Sequence, residues 1–355
     1  MLTKKFIIPL TMTLLTACAG PQTMAPQGNN TQIIAEQNKQ RNLAYETYIN
    51  SQTKLQNIAF PLFTNNTQFC GNTLRPATGI SAWNIDTVAS QYQTAAKNLY
   101  GLGPDLVIQS IVPKSPAEQA GLKSGDLILS IDGRPVPRGA KAFETAQSFI
   151  NNAGYRQIEI AYIRNGVKQT GLLKPVRACD YPVILDNSGQ VNAYADGQKI
   201  VVTRGIMRFA NNDDEIALVV AHELAHNTMG HIEKLKQNVM VGSLGGLAVD
   251  ALLGAAGVNT GNQFSQMGGN LGQQRYSVPF EQEADYVGMY YMARAGYKTE
   301  NVANFWRRMA AEGQASIDMR SSHPASAERF IAIDQTHQEI IRKKHNNQSL
   351  TPNSL

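Results

Sequence analysis

The chain has 355 residues, of which 43% are hydrophobic and 17% charged, so it is long enough for two or three domains with a sizeable buried core. The formal net charge is +5, and two of the positive charges, Lys4 and Lys5, lie in the N-terminal segment described next. This mild charge comes without a dense run of Lys and Arg, so the sequence gives no case for nucleic-acid binding, which would show a clustered Lys/Arg face.

The first residues have the pattern of a bacterial lipoprotein signal peptide, predicted over residues 1–17. A positive start precedes the apolar segment from Phe6 to Leu15, which is too short to span a bilayer as a stable helix. The following Leu15-Thr16-Ala17-Cys18 resembles a lipobox, which implies cleavage before Cys18 and lipidation of its thiol; an ordinary signal peptide is the alternative. No aspartate follows Cys18, and by resemblance to enterobacterial sorting rules this favours the outer membrane, facing the periplasm.

Two further cysteines, Cys70 and Cys179, predict one disulfide in an oxidising compartment. Two buried free thiols and metal binding are the alternatives, although two isolated cysteines cannot form a Cys-rich zinc site. Residues 18–32 are rich in Gly, Pro, Gln and Asn, which predicts a flexible tether. Residues 33–86 begin with apolar residues at helical spacing, which predicts a helical segment.

Residues 87–177 have the strands and turns of a small β domain. Asp105 to Val112 predicts a strand, and Asn165-Gly166 between two apolar runs predicts a hairpin. The run from Ser115 to Gly133 reads Ser-Pro-Ala-Glu-Gln-Ala-Gly-Leu-Lys-Ser-Gly-Asp-Leu-Ile-Leu-Ser-Ile-Asp-Gly and resembles a bacterial PDZ domain.

The PDZ resemblance implies that Gly101, Leu102 and Gly103 form the loop that binds a peptide carboxylate. Pro104 follows, where the family has a residue that donates its N–H, and proline has no N–H to donate. Addition of a peptide strand to the open edge of the sheet remains possible. The pair of cysteines flanks this domain, so we expect it to be inserted, with the N-terminal helical segment packing on the catalytic domain.

The most informative motif is His222-Glu223-Leu224-Ala225-His226, which follows a continuously apolar run and so predicts a buried helix. The acidic run 213–215 is expected to supply its N-cap and first turn. Histidines at i and i+4 project from one helix face and suit one zinc ion, and Glu223 can act as general base on a metal-bound water. The alternative is two incidental histidines, but a buried unpaired glutamate costs on the order of several kcal/mol.

A third protein ligand is needed if the fourth position is to stay open for water. The best candidate is Glu281 in Glu281-Gln282-Glu283-Ala284-Asp285, a run that predicts the start of a helix ending near Ala295. Asp285 lies at i+4 from Glu281 and is expected to support a ligating histidine. Glu283 is the rival ligand, on a different face from Asp285.

The two motifs, His-Glu-x-x-His from His222 and Glu-x-x-Ala-Asp from Glu281, resemble the metallopeptidase family of the CAAX prenyl endopeptidase and HtpX, specifically its soluble periplasmic lipoprotein branch. The resemblance implies an α+β fold: a mainly helical zincin-type domain with a small sheet over residues 178–345, plus an inserted or preceding PDZ-like β domain. A polar tail, 346–355, would follow. Glu281 is implied as the zinc ligand, with one Zn²⁺ per chain.

The same resemblance implies further parts of the site. Asn192, Ala193 and Tyr194 would form an edge strand beside the cleft and pair with substrate backbone. His323, in a His-Pro pair, would stabilise the oxyanion or reach the zinc in a resting state; an exposed histidine that starts a helix is the alternative. Arg329 would support the site.

Residues 239–258 are rich in Gly, Ala, Leu and Val, and the following 259–275 are rich in Gly, Asn and Gln. We expect a mobile lid near the site. A membrane-touching segment and a buried helix are the alternatives, and Asp250 together with the glycines argues against a membrane span. His231 is predicted to end the helix of the first motif and to serve a structural role.

Together these features predict a zinc endopeptidase that hydrolyses misfolded or unassembled envelope proteins and reaches the membrane through its N-terminal lipid. The sequence has no Gly-x-x-x-x-Gly-Lys-Ser/Thr motif, so we expect the work to be independent of ATP. The alternative is a non-proteolytic chaperone or binding lipoprotein that uses the PDZ-like domain and keeps the zinc fold as a scaffold. Such a protein has no need of Glu223, so its presence favours the enzyme.

Overall fold

The computed structural model describes residue 23 and residues 25–255, 260–312 and 326–354. The predicted signal peptide, the lipidation site Cys18 and His323 lie outside the described residues. The chain divides into two compact units, Met1–Gln40 and Arg41–Leu355. A helix begins at Asn30 in the first unit, where its residues are exposed to solvent. The sheets, the cores and the candidate site described next belong to the second unit.

The secondary structure is mixed, which confirms the predicted α+β class. The helices are α1 (Asn30–Asn65), α2 (Gln93–Tyr100), α3 (Pro116–Gln119), α4 (Ala142–Ala153), α5 (Arg204–Phe209), α6 (Asp213–Thr228), α7 (His231–Ala255), α8 (Gln263–Ala295), α9 (Ala303–Glu312) and α10 (Ala327–His345). The strands are β1 (Leu74–Ala77), β2 (Ile80–Trp83), β3 (Val107–Ile111), β4 (Leu127–Ile131), β5 (Arg134–Pro135), β6 (Ile158–Arg164), β7 (Val167–Leu173), β8 (Val176–Cys179), β9 (Val183–Asp186), β10 (Ala193–Ala195) and β11 (Ile200–Thr203). Within the described ranges, no helix has the length and apolar character that crossing a membrane requires.

An antiparallel sheet in the order β2-β3-β4-β6-β7, with β5 paired to β4, forms the PDZ-like domain. Its core is separate from that of the rest of the chain and includes Leu106, Ile131 and Ile160. Helix α4 packs on this sheet through Ala142 and Ala146. The predicted Asn-Gly turn joins β6 to β7.

The predicted carboxylate loop, Gly101 to Gly103, does not lie at the open edge of this sheet. Gly101 ends α2 in the left-handed conformation, with φ of 61°, and Leu102 is buried in a cluster with Tyr45 and Trp83. The strand after the loop, β3, lies between β2 and β4 in the sheet. The binding of a peptide carboxylate by this loop stays a prediction.

The edge strands of this sheet are β2 and β7, and a groove of ≈ 290 Å³ runs between β2 and α4. The turn into β2 needs Gly79, which has φ of 80° and whose Cβ would lie 2.2 Å from Ser115 Cβ. Gln52, Gln56 and Phe60 of α1 line the same groove. The groove is therefore built from both the PDZ-like domain and the helix that precedes it.

The rest of the chain has a second hydrophobic core, separate from that of the PDZ-like domain, and helix α6 lies in the middle of it. Every residue of α6 from Glu215 to Asn227 is buried. Helix α8 and the sheet β10-β11-β9 pack against it. The N-cap is Asn212, whose Oδ1 accepts a hydrogen bond from the backbone N–H of Glu215 at 3.0 Å. The acidic run was predicted to provide both the cap and the first turn; the first turn is confirmed, and the cap is the preceding residue, Asn212.

The second half of α1 belongs to this same core, through side chains that include Leu55 and Leu62. Just beyond α1, Cys70 forms a disulfide with Cys179, with Cα atoms 5.6 Å apart. Strand β1 pairs antiparallel with β8 beside the disulfide. The PDZ-like domain is therefore inserted between two parts of one core, with its two ends joined.

The region predicted to be a mobile lid is a pair of long helices. Residues 239–255 belong to α7, which packs along α8. Helix α8 begins at Gln263 and continues through Pro279. It therefore starts well before Glu281, the residue at which the sequence predicted its start. His231 begins α7 after a turn at Gly230, rather than ending α6. Pairing between the two helices outweighs the low helix propensity of their many glycines.

The predicted polar tail is folded in its described part. The backbone N–H of Asn353 donates to Tyr286 Oη at 3.0 Å, and Lys343 Nζ donates to the Thr351 carbonyl at 2.7 Å. Leu350 packs against the second core. These contacts return the C-terminal segment to α8 and α10, which the polar composition alone does not indicate.

Candidate metal centre

Three buried side chains, His222, His226 and Glu281, bring their ligand atoms within 4.8 Å of one another. Nε2 of His222 lies 3.1 Å from Nε2 of His226 and 3.4 Å from a carboxylate oxygen of Glu281. The other Glu281 oxygen lies 3.2 Å from His226 Nε2. Tetrahedral zinc with bonds of about 2.0–2.1 Å separates its ligand atoms by about 3.3 Å. The donors and their spacing therefore fit a zinc ion.

Helices α6 and α8 place these atoms. The two histidines lie one turn apart on α6, so their rings leave the helix on the same side. Helix α8 carries Glu281 and crosses α6 at Gly288, where a Cβ would lie 3.1 Å from the backbone N of His222 and 3.2 Å from the carbonyl carbon of Ala221. Since backbone atoms inside a buried helix cannot move aside, Gly288 sets how closely the two helices approach.

Asp285 and Arg329 contact two of the three candidate ligands from the surrounding core. Asp285 Oδ1 lies 3.0 Å from Nδ1 of His222, which leaves Nε2 directed at the ligand set. Arg329 donates to both oxygens of Asp285, through Nε at 2.7 Å and Nη2 at 3.0 Å. Its Nη1 also lies 3.1 Å from Glu281. One guanidinium therefore joins a ligand carboxylate to the carboxylate that orients a ligand histidine.

The electrostatics of this cluster favour a cation. Burial raises the pKa of Asp285, but the Arg329 guanidinium and His222 outweigh it and hold that pKa below its usual value. Burial lowers the pKa of His222, whereas hydrogen bonds to Asp285 and Glu281 raise it to about 10. The negative field that stabilises a proton on His222 also favours a divalent metal ion, which must displace that proton.

A second branch supports His226. Nδ1 of His231 lies 3.0 Å from Nδ1 of His226, and Nε2 of His231 lies 2.8 Å from Glu283. Glu283, considered above as a rival ligand, thus contacts His231. The sequence did not indicate this branch because His231 and Glu283 lie on different helices and meet only through the packing of α7 against α8.

Trp306 of α9 closes one side of the site. Its ring centroid lies 5.3 Å from that of His222, and the Arg329 guanidinium lies 5.8 Å from the same indole ring. The sequence pattern marks Trp306 only as a core residue of an amphipathic helix. Its place beside a ligand histidine depends on how α9 packs against α6.

Glu223 lies on α6 between the two histidines and is 1% exposed. The positive charge of Arg329 interacts electrostatically with it. The carboxylate therefore belongs to the same buried stretch of α6 as the two histidines.

The predicted edge residues Asn192, Ala193 and Tyr194 lie where β10 forms the edge of the three-stranded sheet. Strand β10 pairs with β11 and packs against α6. The Tyr194 side chain is 43% exposed. The strand therefore passes beside the helix that carries the two histidines.

Asn227, which sequence reasoning missed, ties this edge to α6. Its Oδ1 accepts a hydrogen bond from the backbone N–H of Gly197 at 2.9 Å, and its Nδ2 donates to the carbonyl of Lys199 at 3.2 Å. Both partners lie in the turn between β10 and β11. The end of the histidine helix therefore positions the edge strand.

Two segments of the chain match known families. Residues 170–337 match the model of peptidase family M48, and residues 107–164 match that of the PDZ domain. The chain carries a peptidase family M48 domain and a PDZ domain. The candidate metal centre lies within the segment that matches M48, and the β2 groove borders the segment that matches the PDZ domain.

The chain is similar to several proteases over part of its length. It is 31% identical over 189 residues to mitochondrial metalloendopeptidase OMA1 of Saccharomyces cerevisiae, a match that covers 51% of this chain and 53% of that protein. It is 25% identical over 195 residues to the β-barrel assembly-enhancing protease of Escherichia coli K12, a match that covers 51% of this chain and 37% of that protein. The solved HtrA-type protease AlgW with decapeptide is 23% identical, covering 29% of this chain and 30% of that chain, with a TM-score of 0.24. The chain thus spans about half, or less, of these curated relatives.

Proposed function

We propose that this chain is a zinc-dependent endopeptidase. The observation that supports it most is the convergence of His222, His226 and Glu281 at zinc spacing within an M48 domain. We propose that these three residues hold one Zn²⁺ per chain and leave a fourth position open. Zinc, when bound there, lowers the pKa of its water toward about 7 and polarises the scissile carbonyl.

The chain's own residues then handle the proton and the geometry. Glu223 accepts the proton of the attacking water and delivers it to the leaving amine. Asp285 keeps Nε2 of His222 directed at the metal, and Arg329 holds Asp285 and Glu281 in register. By resemblance to the family, His323 supplies a further donor to the oxyanion.

The substrate class follows from the edge strand and from the relatives. An extended polypeptide pairing with residues 192–194 needs to be locally unfolded, because a folded chain has its backbone groups paired already. The Escherichia coli relative is named for enhancing β-barrel assembly. We therefore propose misfolded or unassembled envelope proteins as substrates, cleaved without ATP.

The proposed location is the cell envelope. Residues 1–17 are proposed as the signal peptide and Cys18 as the lipidated residue, with the protein attached to the outer membrane and facing the periplasm. The disulfide between Cys70 and Cys179 is consistent with an oxidising compartment.

A second candidate function is a non-proteolytic chaperone or binding protein. The groove between β2 and α4 favours it, since an open strand edge beside a helix can accept an extended peptide without cleavage. In that case the metal centre would serve only as a scaffold, and Glu223 would be dispensable.

Cleavage of casein separates the two functions. The mature chain without its lipidated cysteine, residues 19–355, would be compared with its Glu223→Gln variant at equal zinc content. We expect cleavage by the first and a loss of at least about a thousandfold in the second, because the general base is gone. Equal cleavage by both would remove Glu223 from the mechanism, and no cleavage by either would favour the binding function.

A further inference from the structure

Helix α7 presents a stripe of large apolar side chains to solvent. Met240, Val241, Leu244, Leu247 and Leu252 are 58%, 66%, 60%, 50% and 73% exposed. Their spacing of three to five residues after the first pair places them along one side of the helix. A helix of a water-soluble domain normally turns such residues inward.

The side of α7 that is less exposed carries small residues. Gly242, Ser243 and Gly246 are half-buried, and α7 packs along α8 over this region. The usual arrangement is therefore inverted, with small residues at the helix contact and leucines outside. Helix pairs in lipid have this arrangement, because lipid tails solvate the large apolar side chains while small residues let the backbones approach.

Charge is almost absent from this pair of helices, which we call the arm: residues 237–255 of α7 and the first turn of α8. Between Lys236 and Arg275 the sequence has one charged residue, Asp250. Asp250 is 8% exposed and accepts hydrogen bonds from the Thr260 hydroxyl and from the backbone N–H of Ser265. The only charge of the arm is thus used inside it, to join the two helices near their turn.

Positive charge precedes the arm on α7. Lys234 and Lys236 lie in the two turns of the helix just before it. Glu233 lies 3.8 Å from Lys236 and offsets one of these charges. An uncharged apolar surface next to basic residues complements acyl chains next to anionic phospholipid headgroups.

We propose that the arm binds the surface of a lipid bilayer, with the apolar stripe of α7 inserted at the level of the headgroups and outer acyl chains. The arm lies in this interface rather than crossing the membrane, consistent with the absence of a spanning helix among those described. Because α7 begins at His231, which contacts His226, this docking holds the metal centre close to the membrane surface.

Vesicle flotation tests the proposal independently of peptidase activity and of the lipid anchor. Residues 19–355 would be mixed with vesicles of phosphatidylethanolamine and phosphatidylglycerol. We expect binding by the wild type and at least about a tenfold lower partition coefficient for Leu244→Gln/Leu247→Gln/Leu252→Gln. The matched control, Val167→Thr/Leu172→Thr/Ile331→Gln, removes apolar side chains that are 59%, 62% and 55% exposed elsewhere and should bind as the wild type does.

A second variant tests the two lysines that precede the arm. Lys234→Gln/Lys236→Gln should weaken binding to the anionic vesicles and leave binding to pure phosphatidylcholine vesicles unchanged. No binding by the wild type, or an equal loss in the arm variant and the control, would overturn the proposal. Light scattering on the same samples tests the main alternative, in which the arm contacts a second copy of the chain. A wild-type dimer that does not bind vesicles, and that the arm substitutions dissociate, would show that the arm is a dimer interface.

Discussion

Three acidic side chains at positions 281, 283 and 285 of α8 contact the histidines of the candidate site in different ways. Glu281 faces the two histidines of α6, Asp285 contacts His222 from behind, and Glu283 contacts His231. Glu281 and Asp285, one turn apart, contact the two ring nitrogens of His222, whereas Glu283, between them in the sequence, contacts His231. Single substitutions should therefore separate metal binding from the orientation of the ligands.

Asp285→Asn tests the orienting role. We expect zinc affinity to fall by about 10–100-fold, because a neutral amide holds His222 less firmly and weakens the negative field at the ligands. Competition with a chelator would measure the affinity. Asp334→Asn is the control, since Asp334 pairs with Arg307 near the surface, 2.6 Å away. Unchanged affinity in Asp285→Asn would remove Asp285 from the metal centre.

Arg329→Met tests the buried ion cluster. Asp285 and Glu281 would both lose their guanidinium partner, and breaking a buried pair on one side costs about 3–5 kcal/mol of unfolding free energy. Arg307→Met breaks a pair that is largely exposed, 40% and 51%, and should cost less than about 1 kcal/mol. Urea unfolding of the zinc-free proteins would measure both. Similar losses in the two variants would contradict the account of Arg329.

At the scale of secondary-structure elements, the contact between α6 and α8 depends on Gly288. Gly288→Ala places a methyl group against the backbone of His222, so we expect the unfolding free energy to fall by about 1–3 kcal/mol. Gly245→Ala is the matched control, because a Cβ built there meets no described atom outside its own stretch of helix within 4 Å, and alanine favours a helix by up to about 1 kcal/mol. Equal stability of the two variants would show that α8 can shift without cost.

The tie between α6 and the edge strand predicts a binding effect. Asn227→Ala removes the hydrogen bonds to Gly197 and Lys199, so β10 is held less firmly while the metal ligands stay in place. We expect KM for an extended peptide to rise by about 5–20-fold, with kcat changed by less than about threefold. The control is Asn152→Ala, on the exposed side of α4. A fall in kcat alone would assign Asn227 to the metal centre instead.

The sequence predicts those parts of the site that depend on spacing within one helix. His222 with His226, and Glu281 with Asp285, are i,i+4 pairs, and each pair comes together as expected. Contacts between elements are different, since no local pattern brings Glu283 to His231, Gly288 to the backbone of α6, or Asn227 to the β10–β11 turn. Strand order is a property of the same kind, because no local pattern indicates which strands will lie at the edges of the PDZ-like sheet.

At the scale of the whole molecule, the M48 core is assembled from two separated stretches of chain. The second half of α1 joins the core before the PDZ domain begins, and Cys70 and Cys179 close the insertion. The groove beside β2 is lined by α1 residues such as Gln56 and Phe60 as well as by the PDZ domain. A peptide in that groove would contact both domains at once.

The zinc content of three purified proteins tests the central claim most directly. Metal analysis would compare the wild-type chain, Glu281→Ala and Glu283→Ala after the same dialysis. The account predicts about one zinc per chain in the wild type and in Glu283→Ala, and a loss of most of it in Glu281→Ala, because only Glu281 supplies a ligand oxygen. Zinc retained in Glu281→Ala but lost in Glu283→Ala would show that the ligand assignment is wrong.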